Sequence, residues 1–325
     1  MFKRILVPLD GSTRAESAVP IAARIAQAFG GSVILLQVAA IPIEIEIEKK
    51  PPEIYSQAAF DKGIVDTKSY LEDVAKLDVL KGIKTETEAI TGAIAPSILS
   101  AIQTLHANLI VMCSHGYTGF KRWTLGSEAD KVTRHSPIPV LVLREGGPEL
   151  ATAAHQPVRA LVAVDGSSLS ETVVEPAAYL AAALAEATSQ QGALHFLRVV
   201  DLPTSGGKFK SDAHIDTGLK EQVKHEDEEY LATLEHRLGE NGDLAHLDLA
   251  ITSSVEVDPD IAEAIVKKSE QDAFDFIAIA THGRGGVQKW AMGSVAGRVL
   301  HATTLPLLIM RPQEVQATPL KSTSY

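Results

Sequence analysis

The chain has 325 residues, of which 45% are apolar and 22% charged, and a formal net charge of −11. That is the composition of an ordinary globular protein with room for two domains, and its acidic balance disfavours nucleic acid as a partner, because a negative surface repels a phosphate backbone. The one cysteine, Cys113, excludes an internal disulfide and fits a reducing cytoplasm, and no apolar run approaches the length of a membrane span.

The opening MFKRILVPLDGS leads straight into a strand pattern, with none of the apolar region and cleavage site of a signal peptide. Residues 3–9 (KRILVPL) read as a strand buried on both faces, ended by Asp10-Gly11-Ser12. Thr13 and Glu16 have capping-box spacing, and a helical pattern through Ile21, Ala22, Ile25 and Ala26 follows; Pro20 inside it either kinks the helix or marks a bend. Gly30-Gly31 stops the helix and 32–39 (SVILLQVA) is the second strand. Residues 40–62 are ambiguous. IEIEIE at 43–48 alternates, but Pro42 and Pro51-Pro52 bracket it, so a mobile loop and an edge ribbon both fit. Then come a helix over 65–80 ending near Gly82, a strand at 84–90, a turn at 92–96, a helix at 97–105 and a strand at 109–112. A helix after Ser127 and a strand at 140–143 complete five strands and four helices.

Residues 144–156 read as a linker, after which the order begins again. Strands are expected at 160–164, 194–200, 246–251, 276–280 and 307–310, with helices at 219–238 and 261–268. Asp165-Gly166-Ser167 ends the first of these strands, and Pro176 falls in the next helical pattern much as Pro20 does. The polar stretch 312–325 reads as a disordered tail.

An internal duplication explains this layout. A shift of 167 residues superposes 116–135 on 283–302 without a gap, and nine residues separate Gly116 from Gly126 and Gly283 from Gly293. Strands alternating with helices imply parallel sheets with right-handed crossovers, whose ligands sit at the carboxyl ends of the strands. If the first and fourth strands are neighbours, the D-G-S and H-G turns face one crevice.

The chemistry of that crevice is read residue by residue. Gly126-Ser127 and Gly293-Ser294 precede helical patterns, and Ser127 has the character of an N-cap with Asp130 three residues on. Free amides at a helix start form an anion site, and Gly116 and Gly126 let backbone approach a phosphate. The alternative is that the glycines only turn the chain and Ser127 only caps its helix. Asp10 and Asp165 can accept hydrogen bonds from a ribose or an adenine amine, although an Asx turn or helix cap is the commoner use of such a residue. His115 and His282 have neither a nucleophile nor metal ligands at suitable spacing, and read as loop-shaping residues or phosphate donors. Cys113 reads as a small packed side chain, Trp123 and Trp290 as helix-packing residues, and Lys121, Arg122, Arg284 and Lys289 as solvated cations more than phosphate partners. There is no G-x-x-x-x-G-K-[ST] loop, no G-x-G-x-x-G after the first strand and no G-x-S-x-G elbow.

VPLDGS at 7–12, H-G-x9-G-S at 115–127 and HSPIPVLVL at 135–143, with VAVDGS at 162–167 and H-G-x9-G-S at 282–294, resemble the universal stress protein family. The resemblance covers nearly the whole chain, as a tandem member. It implies two doubly wound α/β domains of the adenine-nucleotide alpha-hydrolase-like type, each a five-stranded parallel sheet of order 3-2-1-4-5 with helices on both faces. The expected domains are 1–145 and 158–312, with 146–157 as linker and 313–325 as tail. It also implies ATP, with Mg where the nucleotide carries it, in a crevice between strands one and four. The site residues so implied are Gly116, Gly126 and Ser127 for the phosphates, Asp10 for the adenosine and Val38 against the base. Gly283, Gly293, Ser294, Asp165 and Val199 are their counterparts in the second half, and His115 and His282 lie beside them in the phosphate turn.

The nucleotide motif that the resemblance implies is G-x-x-G followed by nine residues and G-[ST]; the departure is at its first glycine, where Cys113 and Ala280 stand and each adds a Cβ. The resulting expectation is a cytoplasmic stress-response protein that binds ATP as a sensor or regulator, with slow hydrolysis at most and no catalytic residue. The rival is a nucleotide-free scaffold of the same fold. An adenylating enzyme would need an S-G-G-x-D-S-type loop, which Asp10-Gly11-Ser12 is not. The apolar last strands are expected to cover each other as an internal pseudo-dimer, leaving a further homodimer and protein partners open.

Overall fold

The computed structural model describes residues 1–39, 57–114, 125–144, 150, 157–186, 190–201, 217–239, 244–281 and 292–312, with the side chains of 57–62 and 217–220 excepted. The first half runs β1 (Arg4–Leu9), α1 (Thr13–Glu16), α2 (Ala18–Phe29), β2 (Ser32–Ala39), α3 (Gln57–Val74), β3 (Lys84–Thr91), α4 (Ile94–Thr104), β4 (Leu109–Cys113), α5 (Ser127–His135) and β5 (Val140–Leu143). The second repeats it as β6 (Arg159–Ala163), α6 (Ser168–Glu171), α7 (Val174–Glu186), β7 (Gly192–Val200), α8 (Thr217–Leu238), β8 (Leu249–Val257), α9 (Ile261–Gln271), β9 (Phe276–Ala280), α10 (Ser294–Ala302) and β10 (Leu307–Met310).

The ten strands among the described residues form one sheet of order β3-β2-β1-β4-β5-β10-β9-β6-β7-β8. Each half therefore has the expected 3-2-1-4-5 order, with parallel pairing inside it. At the join β5 and β10 run antiparallel, with Leu308 opposite Leu141. The strands nearest the join are apolar because they have a neighbour on each side and helices on both faces. The two outer strands, KTETEAIT and LAITSSVEV, mix charged and hydroxyl residues with apolar ones, a composition that discourages pairing with another chain.

Two apolar layers sandwich the sheet, and both cross the join. One is built on α2, α3, α7 and α8 and contains Phe2, Val19, Leu71, Leu141, Leu184, Phe196, Leu234 and Leu308. The other is built on α4, α5, α9 and α10 and contains Ile98, Val132, Val142, Ile265, Leu300 and Leu307. Polar contacts also bridge the halves. Arg24 donates to the Leu184 carbonyl at 2.7 Å and the Leu150 carbonyl at 3.3 Å. Phe29 stands edge-on between Phe2 and Tyr179, at 5.9 and 5.8 Å. Arg144, just after β5, donates to the Leu300 carbonyl in the last turn of α10, where a cation meets the negative end of the helix dipole. Burial pushes its guanidinium down to about 10.

Several local expectations are corrected. The helix after the D-G-S turn is two helices, because the chain breaks at Ser17, so five helices are described in the first half. Of the two readings of Pro20, the bend holds, because the break at Ser17 comes just before it, and Pro176 follows the matching break between α6 and α7. Each is the third residue of its helix, where the missing N–H has no intrahelical acceptor to lose. Pro96 is likewise third in α4, which begins inside the segment read as a turn. There is no Thr13–Glu16 capping box: Ser12 is the N-cap, and the Glu16 carboxylate turns to Tyr70. α3 ends at Val74 and a separate 3-10 turn covers Asp78–Leu80. The third strand of the second half starts at Leu249, not at residue 246, because His246 lies in a 3-10 turn and Asp248 takes a φ of 48° that no strand accommodates. The 43–48 ribbon, residues 145–149 and 151–156 of the linker, and the tail from residue 313 lie outside the described residues.

Candidate functional site

β1 and β4 are neighbours, with Ile5 opposite Leu109, and β6 and β9 repeat the pairing. The sheet therefore brings the D-G-S turn and the chain leaving β4 to one end of each half. β2 flanks β1 on the other side, so Val38 belongs to the same end; it packs with Ile90 and Leu36 on the layer that carries α4 and α5. Val199 holds the matching place and is buried.

The D-G-S turn has the same hydrogen bonds in both halves. Asp10 Oδ1 accepts from the Ser12 amide at 3.0 Å and its hydroxyl at 2.6 Å. Asp165 Oδ1 accepts from the Ser167 amide at 3.0 Å and its hydroxyl at 2.5 Å. Ser12 and Ser167 then cap α1 and α6 by accepting from the Ala15 and Ser170 amides. Gly11 and Gly166 take φ of 84° and 79°, the left-handed region in which a Cβ is strained. The Asx turn weighed from the sequence is thus present, and it leaves each aspartate at the carboxyl end of the first strand.

The other edge is the start of α5 or α10. Gly126 and Gly293 are the N-caps, with extended backbone and no side-chain cap; Ser127 is the first helical residue and not the cap, a correction to the sequence reading. A cap without a side-chain acceptor leaves the leading amides to other partners. A relay holds the cap in place. The Gly126 amide donates to the Ser114 carbonyl at 2.7 Å, and the Ser114 amide donates to the Leu143 carbonyl at 2.8 Å. Gly293, Thr281 and Met310 repeat it at 2.7 and 2.8 Å. Sequence reasoning missed Ser114 and Thr281, although a buried hydroxyl residue precedes His-Gly in both copies. His115, Gly116, His282 and Gly283, with Lys121, Arg122, Trp123, Arg284, Lys289 and Trp290, lie outside the described residues.

The halves differ in charge at this helix start. α5 carries Glu128 and Asp130 in its first turn, whereas α10 carries no acid there. Glu128 accepts the Ala95 amide at the start of α4 at 2.9 Å and pairs with Lys131, whose hydrogen bond holds the carboxyl below its ordinary range. In the second half Asp260 does this work for α9, accepting the Glu263 amide at 3.0 Å and pairing with Arg298. Cys113 is the last residue of β4 and does not follow it. Its thiol donates to the Arg14 carbonyl at 2.9 Å and lies 3.0 Å from the Ser17 hydroxyl. Ala280 is the buried counterpart. Among the described residues no group of three or more His, Cys, Asp or Glu could hold a metal ion, and no helix is long and apolar enough to cross a membrane.

Two doubly wound α/β units that share a sheet, each with a D-G-S turn and a G-S helix start at its carboxyl end, define a tandem α/β protein. The chain belongs to the universal stress protein family, whose model matches residues 1–144 and 158–311. A universal stress protein of Mycolicibacterium smegmatis is 25% identical over 322 residues, which are 95% of this chain and 97% of the relative. Universal stress protein Slr1230 of Synechocystis is 23% identical and covers 95% and 100%. A universal stress protein structure from Archaeoglobus fulgidus superposes with a TM-score of 0.63 at 20% identity, covering 96% of this chain and 97% of its own; that likeness is one of fold.

Proposed function

We propose that the protein is a cytoplasmic stress-response regulator that holds an adenine nucleotide, ATP, in the crevice of one or both halves, and that binding rather than catalysis is its activity. The observation that carries the reading is the repeated pairing of a D-G-S turn with an uncapped G-S helix start on adjacent strand ends. Asp10 and Asp165 would hold the adenosine, with Val38 and Val199 against the base. The amides beginning at Ser127 and Ser294, with their hydroxyls, would take the phosphates, as helix starts do for anions, and His115, Gly116, His282 and Gly283 would line the phosphate turn. Any Mg would come with the phosphates. The reading assigns no catalytic residue, and domain limits of 1–145 and 158–312 go with it. The test is native mass spectrometry followed by calorimetric titration with ATP. One or two bound nucleotides are expected, that of the first half lost with Gly126→Trp and that of the second with Gly293→Trp; no binding at millimolar ATP refutes the reading.

A second reading, a nucleotide-free scaffold, rests on Cys113 and Ala280, whose side chains stand where a glycine would leave space. Under it no nucleotide binds, and the function lies in protein partners or a further homodimer.

A further inference from the structure

The two crossover helices make the same contact with the two candidate crevices. Tyr70 on α3 donates its hydroxyl to Glu16 Oε1 at 3.0 Å, and Tyr230 on α8 donates to Glu171 Oε1 at 2.9 Å. Glu16 and Glu171 are the last residues of α1 and α6, the four-residue helices that Ser12 and Ser167 cap and that Asp10 and Asp165 anchor. A helix of four residues has almost no stability of its own, so its orientation is set by what holds its two ends. One end is held by the Asx turn and the other by the tyrosine. In the first half Asp10 and Gly11 also lie close enough to the Tyr70 hydroxyl to act on it electrostatically. In the second half Arg237 pairs with Glu171 as well. Buried Arg198 on β7 also pairs with half-buried Asp227 on α8 at 3.0 Å.

We propose that Tyr70 and Tyr230 are positioning residues of the two nucleotide crevices, each fixing the D-G-S turn of its half through the glutamate that ends the following short helix. The proposal rests on the nucleotide-binding reading. Burial and the neighbouring carboxylate push both phenol groups well above the ordinary tyrosine range, so both remain hydrogen-bond donors at any physiological pH. The contact spans 54 residues in one half and 59 in the other and depends on no sequence motif.

Each half is tested alone. Tyr70→Phe is introduced with Gly293→Trp, and Tyr230→Phe with Gly126→Trp, and ATP affinity is measured by calorimetry beside thermal stability. Loss of a hydrogen bond to a charged group should weaken binding about five- to tenfold in the half that carries the variant. Glu16→Gln and Glu171→Gln keep an acceptor oxygen and should retain most of the affinity, whereas Glu16→Leu and Glu171→Leu should match the phenylalanine variants. Equal affinity for Tyr→Phe and its parent, even with a lower melting temperature, would make the contact structural only and overturn the proposal while leaving the nucleotide reading intact. No ATP binding by the wild-type chain would overturn both.

Discussion

The join between the halves makes a quantitative prediction. Leu141 and Leu308 sit opposite each other in the antiparallel pair, are both 0% exposed, and belong to the same apolar layer. Leu308→Ala removes three carbons, worth about 2.4 kcal/mol at ~0.8 kcal/mol per buried methylene. The strands cannot close the gap without breaking their ladder, and the residual cavity raises the cost to about 3–5 kcal/mol. Leu141→Ala should cost a similar amount. In the double variant the two cavities merge, so the total should fall short of the sum by about 0.5–3 kcal/mol. Because both layers cross the join, the loss should appear as a shift of one cooperative transition. Urea titrations of wild type, both single variants and the double, followed by far-UV circular dichroism, measure all of this. A two-step curve in which one half unfolds at the wild-type midpoint, or single variants costing under ~1 kcal/mol, would show that the halves are independent bodies and refute the reasoning.

Two further predictions follow from local geometry. Gly11→Ala and Gly166→Ala place a Cβ at φ of 84° and 79°, so each should destabilise by about 1–2 kcal/mol, to nearly equal extents, measurable by thermal melts; an unchanged melting temperature would contradict the turn geometry. His195 accepts or donates at both ring nitrogens, to Thr252 at 2.9 Å and Ser254 at 2.8 Å, and burial, followed by Lys268, lowers its pKa below the ordinary 6.5. The unfolded chain therefore takes up this proton first, so the stability contributed by neutral His195 is present above pH 6.5 and lost as pH falls below it. Between pH 7.5 and 5 the melting temperature of the wild type should fall more steeply than that of His195→Gln; parallel slopes would remove the claim.

Much of this was legible in the chain. β2, β5, β9 and β10 are strongly apolar and fall where their runs predict, because strands buried on both faces advertise themselves by composition alone. The D-G-S turn and the G-S helix starts were legible because their bonds join residues at most a few positions apart, and duplication presents each twice. Choices between equivalent local options were not. Ser12 rather than Thr13 caps α1, and Gly126 rather than Ser127 caps α5, because the strand ends set where the chain can begin to coil.

The sequence by itself determined the tandem α/β plan and the places of its repeated turns, which depend on periodicity and short-range chemistry; the strand order came only as what the family resemblance implies. Only the tertiary structure decided what stands behind those turns, namely Tyr70 on Glu16, Glu128 on the Ala95 amide and Ser114 between Gly126 and Leu143, and the antiparallel register in which β5 and β10, expected to cover each other, actually meet. These contacts link residues up to 169 positions apart, as Val140 and Ile309 are, where spacing carries no periodic signal. The partner of a carboxylate or an amide there is whichever group the packed helices and the register of the sheet bring within about 3 Å.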